Sequence, residues 1–582
     1  MSTIRPRYLV LGISIVMILS GITAAWLVQN NFGTVKVTEI DLLTNEEVVI
    51  HSTLQVPNVA SESNPVPGVV VIHGVYQSKE WLMAFGIELA RRGFVVLTID
   101  AASHGNSGYA SSNDDTDRGG VCALEYLEAL PYVSKLGMIG HSMGAGIAIQ
   151  TLELTTLSID SLVFVGGGSR NMTAWANSTY PKNLLITVGH YDELFDIPSL
   201  YTSLAPVFNT TNSISVKQQY GDFNLGTARK LVLGETNHLF ETIDPIIISE
   251  TVDWLKESLQ GDNNSNGISK GDLIYPFFIL GGLISTLGLL LSFFPLITIL
   301  VDLPFFQVVK KKSVSEYSIR GRMYWIYGLL YAIITLGLFL PALLLPPIPF
   351  PQNLGSTVGL WLLGSSLLAF IALYLICRYQ RKESTTNILC WVDLGVDSPH
   401  LKDPTTIRKS VFLTLIIIIW AYFWVLPVDL LLALDFRAFI PLFNDLPIDP
   451  PRLFTLPLYL IFTIPFFLVE SMWLVGLLRV NASDTWFRTQ VNWTTRAVVI
   501  KILPYVAILS IQFVMSWLIG SAFISGIFGF YLLFLWVLTP FFIISTTIIV
   551  WSYHLTKRVY IGAVLNALIF SWTLSSMMTL AM

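Results

Sequence analysis

The clearest chemical signal in the sequence lies at residues 140–144, which read Gly-His-Ser-Met-Gly. A short apolar run precedes this pentapeptide and an alanine-rich stretch with helical spacing follows it, which predicts a strand, a sharp turn and a helix. The two glycines let the backbone pack closely around a strained serine, whose hydroxyl then stands at the carboxyl edge of a sheet. We therefore predict that Ser142 is a nucleophile.

Two residues farther along the chain are suited to activate that serine. A serine hydroxyl is a poor nucleophile until a base takes its proton, and the base needs an acid to fix its tautomer. Asp192 follows an apolar, strand-like run and is the predicted acid, although Glu193 and Asp196 are close enough to take its place. His238 follows the next such run and is the predicted base, because the partners of a serine in such a turn come in the order acid, then histidine.

Two backbone amides are predicted to form the oxyanion hole of this site, since a tetrahedral intermediate needs two N–H donors. Met143, directly after the nucleophile, supplies the first, and Val75, in the turn after an earlier strand, supplies the second. His73 and Gly74 begin that turn, and we interpret His73 as a structural residue that hydrogen-bonds the backbone.

Another turn at a strand end carries Asp100 and His104, which we interpret as residues that fix the loop. No spacing of cysteine, histidine and acidic residues indicates a metal site. The three cysteines, Cys122, Cys377 and Cys390, are too few for a disulfide framework. The predicted chemistry therefore rests on side chains and backbone amides.

The elements that must position these residues lie in an acidic part of the chain, residues 34–262. This part has 12 lysines and arginines against 26 aspartates and glutamates, whereas the remainder has 22 against 13. Strand-like and helix-like stretches alternate along it, a pattern typical of a mainly parallel sheet with helices on both faces. With 53% hydrophobic and 13% charged residues, the whole chain is too apolar for a purely soluble protein. We predict one water-exposed domain fused to a membrane part.

Residues 1–33 are predicted to form a signal anchor with one transmembrane helix. Arg5 and Arg7 precede about 20 uncharged residues, a run longer than the core of an ordinary signal peptide, although small residues near its end keep cleavage possible. Because positive charge stays in the cytoplasm, the acidic domain that follows is predicted to be extracytoplasmic.

Eight further apolar spans are predicted in residues 272–582, after a polar linker at 263–271. They lie near residues 273–300, 323–345, 356–377, 411–433, 456–478, 498–519, 527–551 and 560–580. The loops predicted to be cytoplasmic, 479–501 among them, hold 17 lysines and arginines, whereas the outer loops hold only Arg437 and Arg452. This asymmetry supports the orientation and an all-α polytopic membrane bundle.

Two acidic residues lie within these spans, although a charge in the middle of a bilayer costs about 3 kcal/mol on insertion scales. Asp429 is near the outer end of its span, where it reaches the interface. Glu470 lies deeper and is the candidate functional residue of the membrane part. It is a helix–helix contact, a proton site or a residue on a substrate pathway.

Residues 34–262 resemble the α/β-hydrolases of the dienelactone-hydrolase and prolyl-oligopeptidase-like kind. The resemblance rests on His-Gly after the third strand, Asp-x-x-x-His-Gly-x-Ser after the fourth, Gly-x-Ser-x-Gly, an aspartate after a strand and a late Asn-His, in this order. These motifs stand here at His73, Gly74, Asp100, His104, Gly140, His141, Ser142, Gly144, Asp192 and His238. The resemblance implies an α/β-hydrolase fold and a serine hydrolase without a metal or organic cofactor. We recognise no family in the membrane part.

The expected function is hydrolysis of an ester, thioester or lipid acyl bond, with a small-molecule or lipid acyl substrate, membrane lipids as partners, and esters favoured over peptides. A serine peptidase or an acyltransferase would use the same residues, and a transporter or receptor with an inactive hydrolase-like domain is the alternative from another class. The aromatics Tyr201, Phe208, Tyr220 and Phe223 belong to a candidate cap, residues 195–227, or to the core. No basic patch with interleaved aromatics points to nucleic acid.

Overall fold

The computed structural model of the chain describes residues 6–111, 117–168, 172–211, 213–261, 267–310, 319, 321–346, 348–383, 391–397, 404–434, 450–480 and 485–581. Arg5, Cys390, Arg437 and part of the predicted linker lie outside the described residues. An N-terminal helix, α1 (Pro6–Gln29), is followed by a sheet with its covering helices and then by a helical bundle.

The sheet has nine strands among the described residues. They are β1 (Val35–Leu43), β2 (Val49–Pro57), β3 (Val66–Ile72), β4 (Val95–Ile99), β5 (Val133–His141), β6 (Ser161–Val165), β7 (Leu184–Gly189), β8 (Gln219–Tyr220) and β9 (Arg229–Gly234). Their spatial order is β1-β2-β4-β3-β5-β6-β7-β9-β8. The strands from β4 to β9 in this order are parallel, and antiparallel strands complete both edges. The edge strands β1 and β8 are the two that the sequence analysis missed.

Strand β3 shows how the sheet is covered. Val69, Val70, Val71 and Ile72 are all buried, as expected for β-branched residues in a parallel strand with helices on both faces. The covering helices are α2 (Met83–Ala90), α3 (Gly120–Glu128), α4 (Met143–Leu154), α5 (Ile197–Ser203) and α6 (Pro245–Leu255). Val69 and Val71 share a core with α2 and α6, whereas Val70 and Ile72 share one with α3 and α4. Because the central strands are parallel, the turns after β3, β4, β5, β7 and β9 gather at one edge of the sheet.

The membrane part contains the remaining helices of the described chain. They are α7 (Tyr275–Asp302), α8 (Arg322–Gly337), α9 (Phe339–Leu343), α10 (Gly355–Glu383), α11 (Thr405–Leu432), α12 (Pro450–Ser471), α13 (Trp486–Ile519), α14 (Gly526–Thr556) and α15 (Tyr560–Met577). Helices α8 and α9 form one apolar segment, so that, with α1, nine helices of the described residues are long and apolar enough to cross a bilayer. This agrees with the predicted one N-terminal and eight further spans.

Helix α1 packs along α7 through small residues. A Cβ atom built on Gly21 would lie 2.5 Å from the carbonyl oxygen of Gly281, and one built on Gly288 would lie 2.9 Å from that of Ser14. Such close backbone approach is typical of helix pairs in membranes. The N-terminal helix is therefore packed into the bundle.

The bundle meets the sheet domain at the edge where the strand-end turns gather. The backbone N–H of Gly526, at the start of α14, donates to the carbonyl oxygen of Glu193 at 2.7 Å. The carbonyl oxygen of Ser103 accepts two hydrogen bonds from the bundle, each at 3.0 Å. One comes from the N–H of Leu580, near the end of the chain, and the other from the side chain of Arg452 in α12. The helices of the bundle thus lie directly against the turns that carry the predicted site residues.

Candidate active site

Ser142 lies in the sharp turn between β5 and α4. Its backbone has φ 53° and ψ −112°, a positive-φ conformation that a serine adopts only under strain. Side chains at Gly140 or Gly144 would collide with neighbouring backbone, so the turn needs both glycines. The N–H of Ser142 donates to the carbonyl oxygen of Val165 at 2.9 Å and ties the turn to β6. The predicted strand, turn and helix are therefore all present.

A chain of hydrogen bonds connects Ser142 to the two downstream residues predicted as its partners. Nε2 of His238 lies 2.9 Å from Oγ of Ser142, and Nδ1 of the same ring lies 2.8 Å from Oδ2 of Asp192. Asp192 follows β7, and His238 begins a 3₁₀ turn (His238–Ile243) after β9. The parallel pairing of these strands with β5 and β6 brings together residues 96 positions apart in the chain.

The two acids weighed against Asp192 lie outside this chain of hydrogen bonds. The carboxylate of Glu193 accepts from the backbone N–H of His238 at 3.2 Å and from the side-chain amide of Asn237 at 3.3 Å. Burial raises the pKa of Glu193 to about 7, and the charge of Asp192 adds to the rise. Asp196 is the residue that precedes α5. Asp192 is therefore the carboxylate that is hydrogen-bonded to the imidazole.

A further buried carboxylate, Glu241, was missed by the sequence analysis. Its Oε2 lies 3.5 Å from Nδ1 of His238 and 3.4 Å from Nε2 of His141. Its Oε1 accepts the N–H of Gly189 at 2.5 Å. Burial, and after it the charge of Asp192, raises the pKa of Glu241 well above the ordinary value. The sequence does give one indication of this contact. Glu241 follows His238 by three residues, and residues three apart lie on one side of a 3₁₀ turn.

The two histidines of this cluster have opposite pKa shifts, although their rings stack with centroids 5.1 Å apart. Burial opposes a charge on His238, but the charge of Asp192 and its hydrogen bond outweigh burial and leave the pKa of His238 raised. Burial lowers the pKa of His141 well below its ordinary value, and the neighbouring His238 lowers it further. His141 is therefore neutral and does not compete with His238 for a proton.

The turn after β3 lies against the serine. A Cβ atom built on Gly74 would lie 3.1 Å from Cβ of Ser142. Gln77, which the sequence analysis missed, holds this turn in place. Its Oε1 accepts the N–H of Gly74 at 3.0 Å and lies 3.0 Å from Nδ1 of His141. The side chain of Gln77 thus joins the turn after β3 to the turn that carries the serine.

The two residues predicted to supply oxyanion donors lie near the serine. Val75 lines a cavity together with Ser142. Met143 directly follows the serine as the first residue of α4, a position whose backbone N–H has no acceptor within the helix. The role of their amides stays a prediction.

His73, Asp100 and His104 stabilise the neighbouring turns. Nε2 of His73 accepts the N–H of Ala101 at 3.0 Å, and the carboxylate of Asp100 accepts two backbone N–H groups, at 2.7 and 2.9 Å. Nε2 of His104 lies 2.8 Å from Oγ1 of Thr579, near the end of the chain. These contacts support the interpretation of the three residues as structural, and the last one joins the sheet domain to the bundle.

One group of residues has the composition of a metal site. His141, His238 and Glu241 place three ligand-type atoms within 4.8 Å of one another. However, the two ring nitrogens of His238 already face Ser142 and Asp192 at hydrogen-bond distance. A metal bound through His238 would break that chain of hydrogen bonds, so the donor set fits the hydrogen-bonded network better than a metal.

Two cavities reach Ser142, and Phe530 of α14 lines both of them. The smaller has a volume of about 60 Å³ and includes Val75 and His238 in its wall. The larger has a volume of about 550 Å³ and includes Gly146 of α4 in its wall. A long apolar helix of the bundle therefore forms part of the wall of both cavities beside the serine.

The predicted cap contributes little to these walls. Phe195 lines the larger cavity. Phe208 packs edge-on against Tyr220, with ring centroids 5.4 Å apart, and Tyr201 packs against the same core. Phe223 packs in the same way against a tryptophan of α6, at 4.7 Å. Tyr201, Phe208, Tyr220 and Phe223 therefore pack in the core of the sheet domain. Helix α14 contributes more of the wall beside Ser142 than residues 195–227 do.

Glu470 of α12 forms a buried ion pair with Lys501 of α13, with 3.0 Å between Oε1 and Nζ. Residue 501 belongs both to the predicted loop 479–501 and to the predicted span near 498–519, and the structure places Lys501 inside α13, which begins at Trp486. Nζ of Lys501 also lies 3.9 Å from the ring centroid of Phe542. Of the three interpretations of Glu470, the helix–helix contact is the one that these contacts support.

Comparison with known proteins finds a family match in the central part of the sheet domain. The family model described as Serine aminopeptidase, S33, matches residues 63–189. No curated protein matches the chain. The family match, together with the sheet, confirms the predicted α/β-hydrolase fold.

Several solved structures of hydrolases are similar to the chain. A CIB-like hydrolase from Thermoplasma acidophilum is 17% identical, with 38% of this chain and 99% of that chain covered and a TM-score of 0.30. The esterase Pf2001 from Pyrococcus furiosus is 17% identical, with 39% and 92% covered and a TM-score of 0.29. Est1E from Butyrivibrio proteoclasticus is 14% identical, with 38% and 98% covered and a TM-score of 0.29.

Proposed function

We propose that this chain, whose sheet domain is an α/β-hydrolase domain, is a membrane-bound serine hydrolase. The observation that carries the proposal is the position of His238, whose two ring nitrogens lie 2.9 Å from Ser142 and 2.8 Å from Asp192. In this arrangement the imidazole takes the serine proton and the carboxylate stabilises the imidazolium. The bond that is cleaved is an ester, thioester or lipid acyl bond.

The first half of the reaction transfers the acyl group to the enzyme. Oγ of Ser142 attacks the carbonyl carbon while its proton passes to Nε2 of His238. The carbonyl oxygen becomes an oxyanion, which accepts hydrogen bonds from the amides of Val75 and Met143. When the intermediate collapses, the bond to the leaving group breaks and His238 donates its proton to that group. The acyl group remains esterified to Ser142.

The second half of the reaction releases the acid. Water attacks the acyl-enzyme and gives a proton to His238, and the second tetrahedral intermediate collapses as that proton returns to Oγ of Ser142. The raised pKa of His238 makes it a stronger base, and the charge of Asp192 stabilises its protonated form. The chemistry is thus supplied by the side chains and amides of the chain.

A serine aminopeptidase is the second candidate, because the matching family model carries that description. The protonated N-terminus of a peptide is best held by a carboxylate in the substrate cavity. The described residues that line the two cavities beside the serine include neither aspartate nor glutamate. An uncharged acyl substrate therefore fits these cavities better.

The side of the membrane is also part of the proposal. Arg7, at the start of α1, is hydrogen-bonded to Asp302 at the end of α7, and Lys310 donates to the same carboxylate at 2.6 Å. The opposite end of α1 leads directly into β1 of the sheet. Because positively charged flanks stay in the cytoplasm, the hydrolase domain is assigned to the extracytoplasmic side.

The test is labelling of the full-length protein in sealed vesicles of known orientation with a membrane-impermeant fluorophosphonate. Labelling from the side of the sheet domain is expected, and Ser142→Ala and His238→Ala should abolish it. Ser142→Ala should also lower ester turnover by roughly four to six orders of magnitude without changing the melting temperature. Ser63→Ala, at an exposed serine, is the control. An unchanged turnover in the Ser142→Ala protein would overturn the proposal.

A further inference from the structure

The two cavities beside Ser142 differ in whether they contact His238. This difference indicates which cavity receives the acyl group of the substrate and which receives the leaving group. His238 is part of the wall of the smaller cavity and is not among the residues that line the larger one. In the proposed reaction the histidine donates a proton to the leaving group, which must therefore lie beside it. The leaving group belongs in the smaller cavity and the acyl group in the larger one.

The smaller cavity has room for a small leaving group. Its volume of about 60 Å³ holds roughly four water-sized groups. Phe530, Leu533, Phe534 and Val537 of α14 line it, and their spacing puts them on one face of the helix. The aromatic ring of Tyr76, from the sheet domain, packs against this face, with its centroid 5.9 Å from that of Phe534. Helix α14 therefore forms one wall of the side of the site that receives the leaving group.

The larger cavity suits a long apolar chain. Its volume of about 550 Å³ lies within the range of cavities that hold sizeable organic ligands. Ile149 and Leu194 from the sheet domain and Ile527 from α14 line it, without a charged side chain among the described lining residues. Burial of methylene groups against such walls is the main source of affinity for an acyl chain.

The mouth of the larger cavity lies at the first turns of α14. Ile527 lines the cavity and is 58% exposed, and the adjacent Phe528 is 49% exposed. Helix α14 has 31 residues and is therefore about 46 Å long, more than the roughly 30 Å of a hydrocarbon core. A helix of this length extends beyond such a core, and the end that carries the mouth is the one that contacts the sheet domain, through Gly526 and Glu193. An amphiphile in the bilayer would meet an apolar opening there.

We propose that the substrate is an ester or thioester of a long-chain acyl group with a leaving group of a few heavy atoms, taken from the bilayer along α14. This inference rests on the proposed function. The bond between the acyl carbon and the leaving oxygen or sulfur breaks. Water supplies the hydroxyl of the released acid and the proton of the released alcohol or thiol.

The test uses full-length protein in phosphatidylcholine vesicles with methyl laurate and methyl butyrate as substrates. The released acid is titrated at constant pH, and kcat/KM is compared between the two esters. Gly146→Trp places a bulky side chain in the acyl cavity, because Gly146 lines this cavity and a Cβ atom built there meets no atom within 4 Å. The ratio of laurate to butyrate should fall by at least about tenfold. Gln150→Trp, at an exposed position of the same helix, is the matched control and should keep the ratio.

A second variant tests the leaving-group side. Phe534→Ala removes an aromatic ring from the wall of the smaller cavity. It should raise the kcat/KM of phenyl laurate relative to methyl laurate by at least about tenfold, because the larger leaving group then fits. The unsubstituted protein should prefer the methyl ester.

The outcomes separate this inference from the proposed function. Fluorophosphonate labelling of Ser142 in each variant reports the nucleophile independently of chain length. If Ser142 is labelled but Gly146→Trp leaves the ratio within twofold, the assignment of the acyl cavity is overturned while the serine hydrolase stands. If phenyl laurate gains nothing in Phe534→Ala, the assignment of the leaving-group cavity is overturned. If the unsubstituted protein is not labelled at all, the proposed function fails, and this inference fails with it.

Discussion

Two clusters of buried ionisable residues lie in different parts of the molecule and differ in their surroundings. Beside the serine, His238 is enclosed by Asp192 and Glu241, at 2.8 and 3.5 Å from its Nδ1. Inside the bundle, Glu470 and Lys501 form an ion pair at 3.0 Å. The first cluster ends in a hydrogen bond to a serine that lines two cavities, whereas neither cavity includes a residue of the second.

The comparison shows that burial of charge does not by itself indicate a functional site. Lys501 is surrounded by aromatic rings, with its Nζ 3.9 Å from the centroid of Phe542 and 4.9 Å from that of Phe466. Such a pair compensates the cost of desolvating two charges and holds helices together. The cluster beside Ser142 has, in addition, a nucleophile and space for a substrate. Substitutions in the cluster beside Ser142 should therefore lower activity, whereas breaking the pair of Glu470 and Lys501 should lower stability.

Among the ionisable residues of the two clusters, the largest effect is expected at Asp192. Asp192→Asn should lower kcat by about 10,000-fold, because the imidazole loses the carboxylate that fixes its tautomer and stabilises its charge. The pH profile gives a second readout. The unsubstituted protein should lose activity as the pH falls through the raised pKa of His238, with a midpoint above about 6.5.

In Asp192→Asn the midpoint of the pH profile should move to lower pH, because the charge that raised the pKa of His238 is gone. Asp196→Asn, four residues farther along the same loop, is the control and should keep both the rate and the midpoint. A midpoint that stays in place in Asp192→Asn would show that His238 is not the titrating base.

The next largest effect is expected in the bundle, on stability. Glu470→Met should destabilise the protein by about 3 to 5 kcal/mol, because it leaves Lys501 buried without its partner. The double variant Glu470→Met with Lys501→Met should recover much of that loss. Thermal melting in detergent measures this, and fluorophosphonate labelling per folded molecule should stay constant throughout. Loss of labelling in a variant that melts normally would assign Glu470 a role in function.

The smallest effect is expected at Glu241. Burial, and after it the charge of Asp192, raises the pKa of Glu241 well above the ordinary value, which favours the neutral carboxyl group, and a glutamine is nearly the isostere of that form. Glu241→Gln should therefore change kcat by less than about fivefold, the size of a single altered hydrogen bond. Steady-state kinetics at neutral pH provide the measurement. A loss near that of Asp192→Asn would mean that the site requires a charged Glu241.

Several features of the candidate site were predictable because they are local in the chain. The glycines around Ser142 indicate a turn with unusual backbone angles, and the observed φ of 53° agrees with it. Asp192 and His238 follow apolar strand-like runs, so their place at the sheet edge follows from parallel pairing. Glu241 and Gln77 were missed, because each contacts residues of another turn and neither belongs to a motif.

The sequence by itself determined seven of the nine strands of the described sheet, the helices that are long and apolar enough to cross a bilayer, and the serine that stands in a strained turn. These properties depend on hydrophobicity, periodicity and backbone preference over a few neighbouring residues. Only the tertiary structure decided that Lys501 faces Glu470 and that Phe530 and Phe534 of α14 border the cavity beside Ser142. Such contacts join residues far apart in the chain, and they depend on how one helix is rotated and docked against another surface, which no local pattern encodes.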